Sequence, residues 1–202
     1  MRKTAEARRA DITEAALVLL ATAAPEQLTT TRIARKVGIS QAALFRHFPT
    51  KDHVWRAVVE EIEARAERAW AKAAEIGGSP AQRLRILLLT QLGLIEQTPA
   101  MPALVFSPGR HVSEDAVRPV ILRVMAGLQS RIVALVEEGA AGGAAASGLQ
   151  PADIALLLMG TLQGLVLRWS LSGRGFDLVS EGDRLIQIQI GLLAPCRTPE
   201  ET

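Results

Sequence analysis

The stretch from Leu28 to Trp55 constrains this chain more than any other, because its interruptions are closely spaced and each has a chemical cause. Ile33, Ala34 and Val37 recur at helical spacing. Ahead of them stands Thr29 or Thr30, a cap whose hydroxyl takes up an unpaired N–H of the first turn. Gly38 follows where a helix closes on a left-handed residue, a conformation that glycine adopts cheaply. Ser40 caps a second short helix, Gln41 to Phe48, with Ile39 and Leu44 placed as the pair that staples its entry. Pro49 stops it, and Thr50 caps a third helix. Two short helices about a glycine turn predict a helix-turn-helix over about residues 30–50.

The second helix points to DNA. Leu44 and Phe48 are four apart and face inward, which leaves Gln41, Ala42, Ala43, Phe45, Arg46 and His47 on the other faces. A recognition helix reads base edges with its N-terminal residues. Gln41 can pair bidentately with adenine, while Ala42 and Ala43 are small enough to approach a thymine methyl. Lys51 sits in the first turn of the third helix, where a cation opposes the helix dipole and an anion is welcome, so a phosphate would complete the site. The DNA-facing set is Thr30, Thr31 and Arg32, then Ser40, Gln41, Ala42, Ala43, Phe45, Arg46 and His47, then Lys51. Gln41 and Thr31 are expected to read bases; Lys51, His47 and the Ser40 end of the helix are expected to hold backbone.

The run from Thr29 to Lys51 resembles the DNA-binding signature of the tetracycline-repressor (TetR) family, Thr-Thr…Ile-Ala…Gly-Val-Ser…Leu-Tyr-x-His-Phe…Lys. The resemblance is specific over roughly residues 8–60 and architectural beyond. It implies a ligand-responsive repressor that works as a homodimer on a palindromic operator. One position departs: Phe45 replaces a tyrosine whose hydroxyl typically meets a phosphate in the family, and the chain has no tyrosine at all.

Charge is unevenly spread. The whole chain is formally +2, yet residues 1–60 hold ten Lys/Arg against six Asp/Glu, so the remainder is net acidic. A basic N-terminal third is the footprint of phosphate contact, although a solvated face has the same composition. Arg2, Lys3, Arg8 and Arg9 form either a basic arm along DNA or, for the first residues, a plain soluble tail. The single cysteine, Cys196, excludes a disulfide framework, and three scattered histidines lack ligand spacing, so neither metal nor cofactor is expected. The N-terminus has no apolar core of a signal peptide. The longest apolar stretch, Ile154 to Leu167, contains Gln163 and is shorter than the ~20 residues of a span. A soluble cytoplasmic protein with no membrane partner is the expectation.

The chain reads as all-α: an N-terminal three-helix DNA-binding domain (residues 1–55) joined by a long helix to a helical C-terminal domain (residues 56–202), which the family resemblance implies is the effector-binding and dimerisation domain. Helix one runs from Thr4 to about Ala24, with Ile12, Ala15, Ala16 and Leu19 inward. The long helix runs from Lys51 to about Ile76 and carries a Glu61–Arg65 pair at i,i+4; shared by both domains, it can act as a lever. Further helices are expected near 80–97, 101–106, 113–138, 151–172 and 177–194, with Ser79 as cap, Pro80 and Pro151 at N1, and Pro119 a possible kink. The Gly/Ala run 139–148 reads as a flexible connection. Ile186 to Ile190 alternates like a strand, but Leu178, Leu185 and Leu192 keep a seven-residue spacing and no partner strand exists, which favours helix. Gly160 and Gly164 allow close approach of another helix. By the family resemblance, that approach is a homodimer through the helices near 151–172 and 177–194.

The same resemblance implies a small-molecule pocket in the middle helices. Its candidates are Leu88, Gln91, Leu92, Met101, Leu104, Phe106, Ile121, Met125, Gln163 and Trp169, each of which could equally be ordinary core. So few aromatic residues suit an aliphatic or acyl-like, small apolar effector. Two readings compete with a regulator. A protein of this fold could organise chromosomes or bind a protein partner. An enzyme is disfavoured, since no Gly-rich phosphate loop or Ser/His/Asp arrangement is present and His111 beside Arg110 is the only cluster to name.

Overall fold

A computed structural model describes residues 4–22, 28–98, 102, 114–141 and 149–193, and among these it contains helices and no strand. Eight helices follow in order: α1 (Ala5–Thr22), α2 (Thr30–Val37), α3 (Gln41–His47), α4 (Lys51–Ala74), α5 (Pro80–Gln97), α6 (Glu114–Gly139), α7 (Pro151–Leu171) and α8 (Leu178–Leu193). Apart from Pro102, which is helical and buried, the expected helix at 101–106 lies outside the described residues, as do the start at Ser113 and residues 142–148 of the Gly/Ala run. The chain divides into two units, Met1–Glu67 with Ile95–Val124, and Arg68–Leu94 with Met125–Thr202.

Local chemistry sets the helix ends in the first unit. Thr29, in extended backbone, accepts from the Arg32 N–H at 3.2 Å and is the cap of α2. Gly38 closes the helix at φ 77°. Its N–H reaches the Arg35 carbonyl at 3.2 Å while the Ile39 N–H reaches Ala34 at 3.0 Å, the paired bonds of a Schellman ending. Ser40 accepts from the Ala43 N–H at 3.1 Å, and Thr50 from the His53 N–H at 3.3 Å. Around these ends Ile12, Ala16, Leu20, Leu28, Ile33, Leu44, Phe48, Val54, Trp55 and Val58 form one buried core, joined by Val117 and Val120 of α6. Of the expected inward row of α1, Ile12, Ala15 and Ala16 are buried and Leu19 only partly, while Leu17 and Leu20 are buried beside them. Positions 12, 16 and 20 form one i,i+4 ridge, and Leu19 falls on its flank. Arg65 of α4 donates to Glu61 at 3.0 Å and also pairs with Glu14 of α1. Arg123 of α6 holds Glu63 of α4 bidentately at 2.8 Å, which lowers that carboxyl below its usual range.

In the second unit α5 starts at Ser79-Pro80 as a reciprocal capping box. Ser79 Oγ accepts from the Gln82 N–H at 3.3 Å, and the Gln82 side chain accepts from the Ser79 N–H at 2.9 Å. Trp70 is buried and donates through Nε1 to Gln91 Oε1 at 3.1 Å, under the Arg131 guanidinium. The alternating Ile186–Ile190 segment is helical, but not for the expected reason. Leu178 is buried and Leu192 is 78% exposed, so the seven-spaced leucines do not share a face; the inward row is Leu178, Gly182 and Ile186. At Gly182 the absence of a side chain lets α8 pack against α5, since a Cβ there would lie 2.1 Å from Leu92 Cδ1. Arg85 of α5 and Asp183 of α8 lock the contact with bonds of 2.5 and 2.6 Å.

Candidate nucleic-acid interface

Leu44 is the one residue of α3 with a buried side chain. Gln41, Ala42, Phe45 and Arg46 are exposed, and Ala43 and His47 are half-buried. Seven residues of helix would be weak alone, but Ser40 caps the start and Leu44 and Phe48 pin it to the core. Arg9 of α1 secures the other end. Its Nη1 donates to the His47 carbonyl at 2.5 Å and its guanidinium stands 4.2 Å from the centroid of the Phe48 ring. Sequence reasoning treats Arg9 as part of a basic arm; the structure shows it holding the C-terminal end of α3. The signal for this is weak in sequence, because any arginine on α1 reads the same.

The remaining predicted residues surround that helix unequally. Thr31 and Arg32 are exposed on the first turn of α2, and Arg35 and Lys36 are exposed at its end. Lys51 is half-buried at the start of α4 and makes no ion pair with any described residue. Ser40 is exposed while its hydroxyl serves the cap. Thr30 departs from the surface position expected of it: it is 8% exposed, and its Oγ1 accepts from Gln41 Nε2 at 2.8 Å. Thr29, being the extended residue, takes the capping role, which turns the Thr30 side chain toward α3.

The predicted pocket residues are divided between the two units, and some lie outside the described residues. Leu88, Gln91, Leu92 and Trp169 are buried and Met125 is half-buried, all in the second unit. Gln91 has its carbonyl engaged by Trp70, and Trp169 donates to the Phe176 carbonyl at 3.1 Å. Ile121 belongs to the first unit and packs against its core. Gln163 is exposed, because helical geometry sets it on the side of α7 away from Leu162, Leu165, Val166 and Trp169. Met101, Leu104 and Phe106 lie outside the described residues.

Beside Gln163 the face of α7 carries Leu156, Leu157, Leu167 and Leu171, all exposed, and Gly160 and Gly164, beside whose Cβ positions nothing lies within 4 Å. Ile188 and Leu192 of α8 are exposed as well. The 14-residue apolar stretch understates α7: at 21 residues it is long and apolar enough to cross a membrane, as is Val117–Gly139. Its composition alone therefore does not set it apart from a span. One side of it, from Ile154 to Trp169, is buried in the second unit.

Residues 12–58 match the family described as bacterial regulatory proteins, tetR family, and residues 80–184 match the C-terminal domain of BetI-type transcriptional repressors. A nucleoid occlusion factor, SlmA, from Alteromonas mediterranea is 28% identical over 131 residues, 65% of this chain and 67% of that one. Among solved structures, the fatty acid degradation regulator FadR from Bacillus halodurans superposes with a TM-score of 0.74 at 18% identity, over 96% of this chain and 97% of that one. A TetR-family transcriptional regulator from Agrobacterium tumefaciens superposes with a TM-score of 0.76 at 19% identity, over 95% and 100%. At these identities the solved structures establish the fold.

Proposed function

Because the chain belongs to the tetR family of bacterial regulatory proteins, we propose that it acts in the cytoplasm as a homodimeric repressor of a palindromic operator, released by a small apolar effector. Members of the family are ligand-responsive DNA-binding regulators of transcription, and that is the function of this chain. Residues 1–55 carry DNA binding in this reading, and residues 56–202 carry effector binding and dimerisation. The observation that supports it most is α3, a capped helix anchored by Leu44 that exposes Gln41, Ala42, Phe45 and Arg46, with Arg32 exposed on α2 and Lys51 at the start of α4.

The dimer is assigned to the exposed face of α7 and α8. Leu156, Leu157, Leu167, Leu171, Ile188 and Leu192 form more apolar surface than single scattered side chains would explain. Gly160 and Gly164 lower that surface so that a second helix can approach. Such a dimer would set two α3 helices about one DNA turn, ~34–36 Å, or a multiple of it apart. The effector is assigned to the second unit, near Leu88, Leu92, Met125 and Trp169, with Gln91 Nε2 as the polar end that Trp70 leaves to a ligand. Sedimentation of the wild-type chain and of Gly164→Leu at micromolar concentration tests the dimer: a wild-type dimer and a folded monomeric variant support it, and a monomeric wild type refutes it.

A second reading rests on the SlmA relative, whose name describes nucleoid occlusion. In that case the chain would bind dispersed chromosomal sites. Genome-wide occupancy separates the two: a few sites beside promoters fit a repressor, and many scattered sites fit chromosome organisation.

A further inference from the structure

Thr30 and Gln41 are polar residues that the fold joins across the helix-turn-helix. The Thr30 hydroxyl is buried and accepts from Gln41 Nε2 at 2.8 Å. Since Thr29 caps α2, that hydroxyl has no capping role. Gln41 is the first residue of α3 and is otherwise exposed. Its amide has one acceptor oxygen and two N–H donors. A bidentate pair with adenine uses Oε1 and one N–H. The bond to Thr30 uses the other N–H, so the same amide can keep its internal partner and still meet the base.

The consequence is directional. With Nε2 tied toward Thr30, Oε1 is presented as an acceptor, which suits the N6 amino group of adenine. Guanine shows acceptors at both O6 and N7, and would meet that oxygen with another acceptor. An amide free of Thr30 could turn over and offer its donors to guanine. Anchoring also removes part of the rotamer freedom that a glutamine otherwise loses on docking. We propose that Thr30 is a positioning residue that determines specificity, holding the Gln41 amide in the orientation that selects adenine over guanine. The inference rests on the reading of Gln41 as a base reader.

The test starts from a duplex library with a random core, from which the wild-type chain selects its preferred duplex. Affinity is then measured on that duplex and its single-base variants for Thr30→Val, Thr30→Ser, Gln41→Ala and the Thr30→Val/Gln41→Ala double variant. Valine keeps the shape and lacks the acceptor; serine keeps the hydroxyl. The expected result is a loss of roughly two- to tenfold in adenine-over-guanine preference for Thr30→Val at the position that Gln41→Ala affects, the range of a neutral hydrogen bond. Thr30→Ser keeps the preference, and Thr30→Val changes nothing further once Gln41 is alanine. Thermal melting and the salt slope of Thr30→Val should match the wild type, and Thr30→Ala provides a second hydroxyl-free variant if valine does not fold. Wild-type base preference in the hydroxyl-free variants overturns the proposal. So does a uniform loss on every duplex that persists in the Gln41→Ala background, which would make Thr30 merely structural. If Gln41→Ala itself leaves all base preferences intact, the reading of Gln41 falls and this proposal with it.

Discussion

Phe45 presents a phenyl ring, 38% exposed on α3, where the family pattern has a phenol. The ring keeps an apolar contact with a sugar edge but has no donor for a phosphate. A well-formed hydrogen bond to a charged acceptor contributes about 1.5–3 kcal/mol, so Phe45→Tyr should tighten binding by about tenfold or more per half-site without changing the preferred sequence. Anisotropy on one duplex at several salt concentrations measures this, and unchanged or weaker binding would mean that α3 docks differently here. Lys51 and Gln41 should separate by the kind of loss. Lys51→Ala should weaken all duplexes alike and reduce the salt slope by about one, because each neutralised phosphate releases close to one counterion. Gln41→Ala should cost roughly 1–3 kcal/mol at particular bases. A changed sequence preference with an unchanged slope for Lys51→Ala would reverse these roles. Gly38 tests the turn itself. Nothing lies within 4 Å of a Cβ there, so Gly38→Ala is charged only for its φ of 77° and should cost about 1–2 kcal/mol in denaturant unfolding.

Among the elements, α7 and α8 contain glycines with opposite meanings. At Gly182 a methyl would lie 2.1 Å from Leu92 Cδ1, and Leu92 is fully buried, so Gly182→Ala should lower stability by about 1–3 kcal/mol as α5 and α8 are forced apart. At Gly160 and Gly164 the single chain has open space, so alanine there should favour the isolated helix by roughly 0.5–1 kcal/mol. A lower melting temperature for Gly164→Ala would therefore come from a partner and not from the chain's own packing. The helix ends were legible in sequence because caps act locally: Thr29, Gly38, Ser40 and Ser79 work through bonds spanning a few residues. What was not legible depends on the far side of each helix. Leu17 and Leu20 displace Leu19 because the neighbours of α1 select the ridge, Gln163 turns outward with the exposed side of α7, and the Thr30–Gln41 and Arg9–His47 bonds join residues 11 and 38 positions apart. Periodicity marks a face without saying what covers it.

For the whole molecule, the carboxyls of Glu63, Asp177, Glu181 and Asp183 all sit below their usual range. Their leading causes are Arg123, the Ser180 N–H, Arg184 and Arg85 respectively. A carboxyl lowered on folding adds stability that is complete above its ordinary value, about 4, and is lost as pH falls through the lowered one. The melting temperature should thus hold from pH 7 to about 5 and fall below about 4, with each exposed pair contributing little by itself. A melting temperature that rises on acidification would contradict these pairings. Two copies of this chain should read DNA symmetrically, which selection from a random-core duplex library followed by sequencing would reveal. The expected outcome is enrichment of an inverted repeat whose half-sites are centred about one helical turn, ~34–36 Å, or a multiple of it apart. Enrichment of a single unpaired half-site, or of no sequence at all, would contradict it.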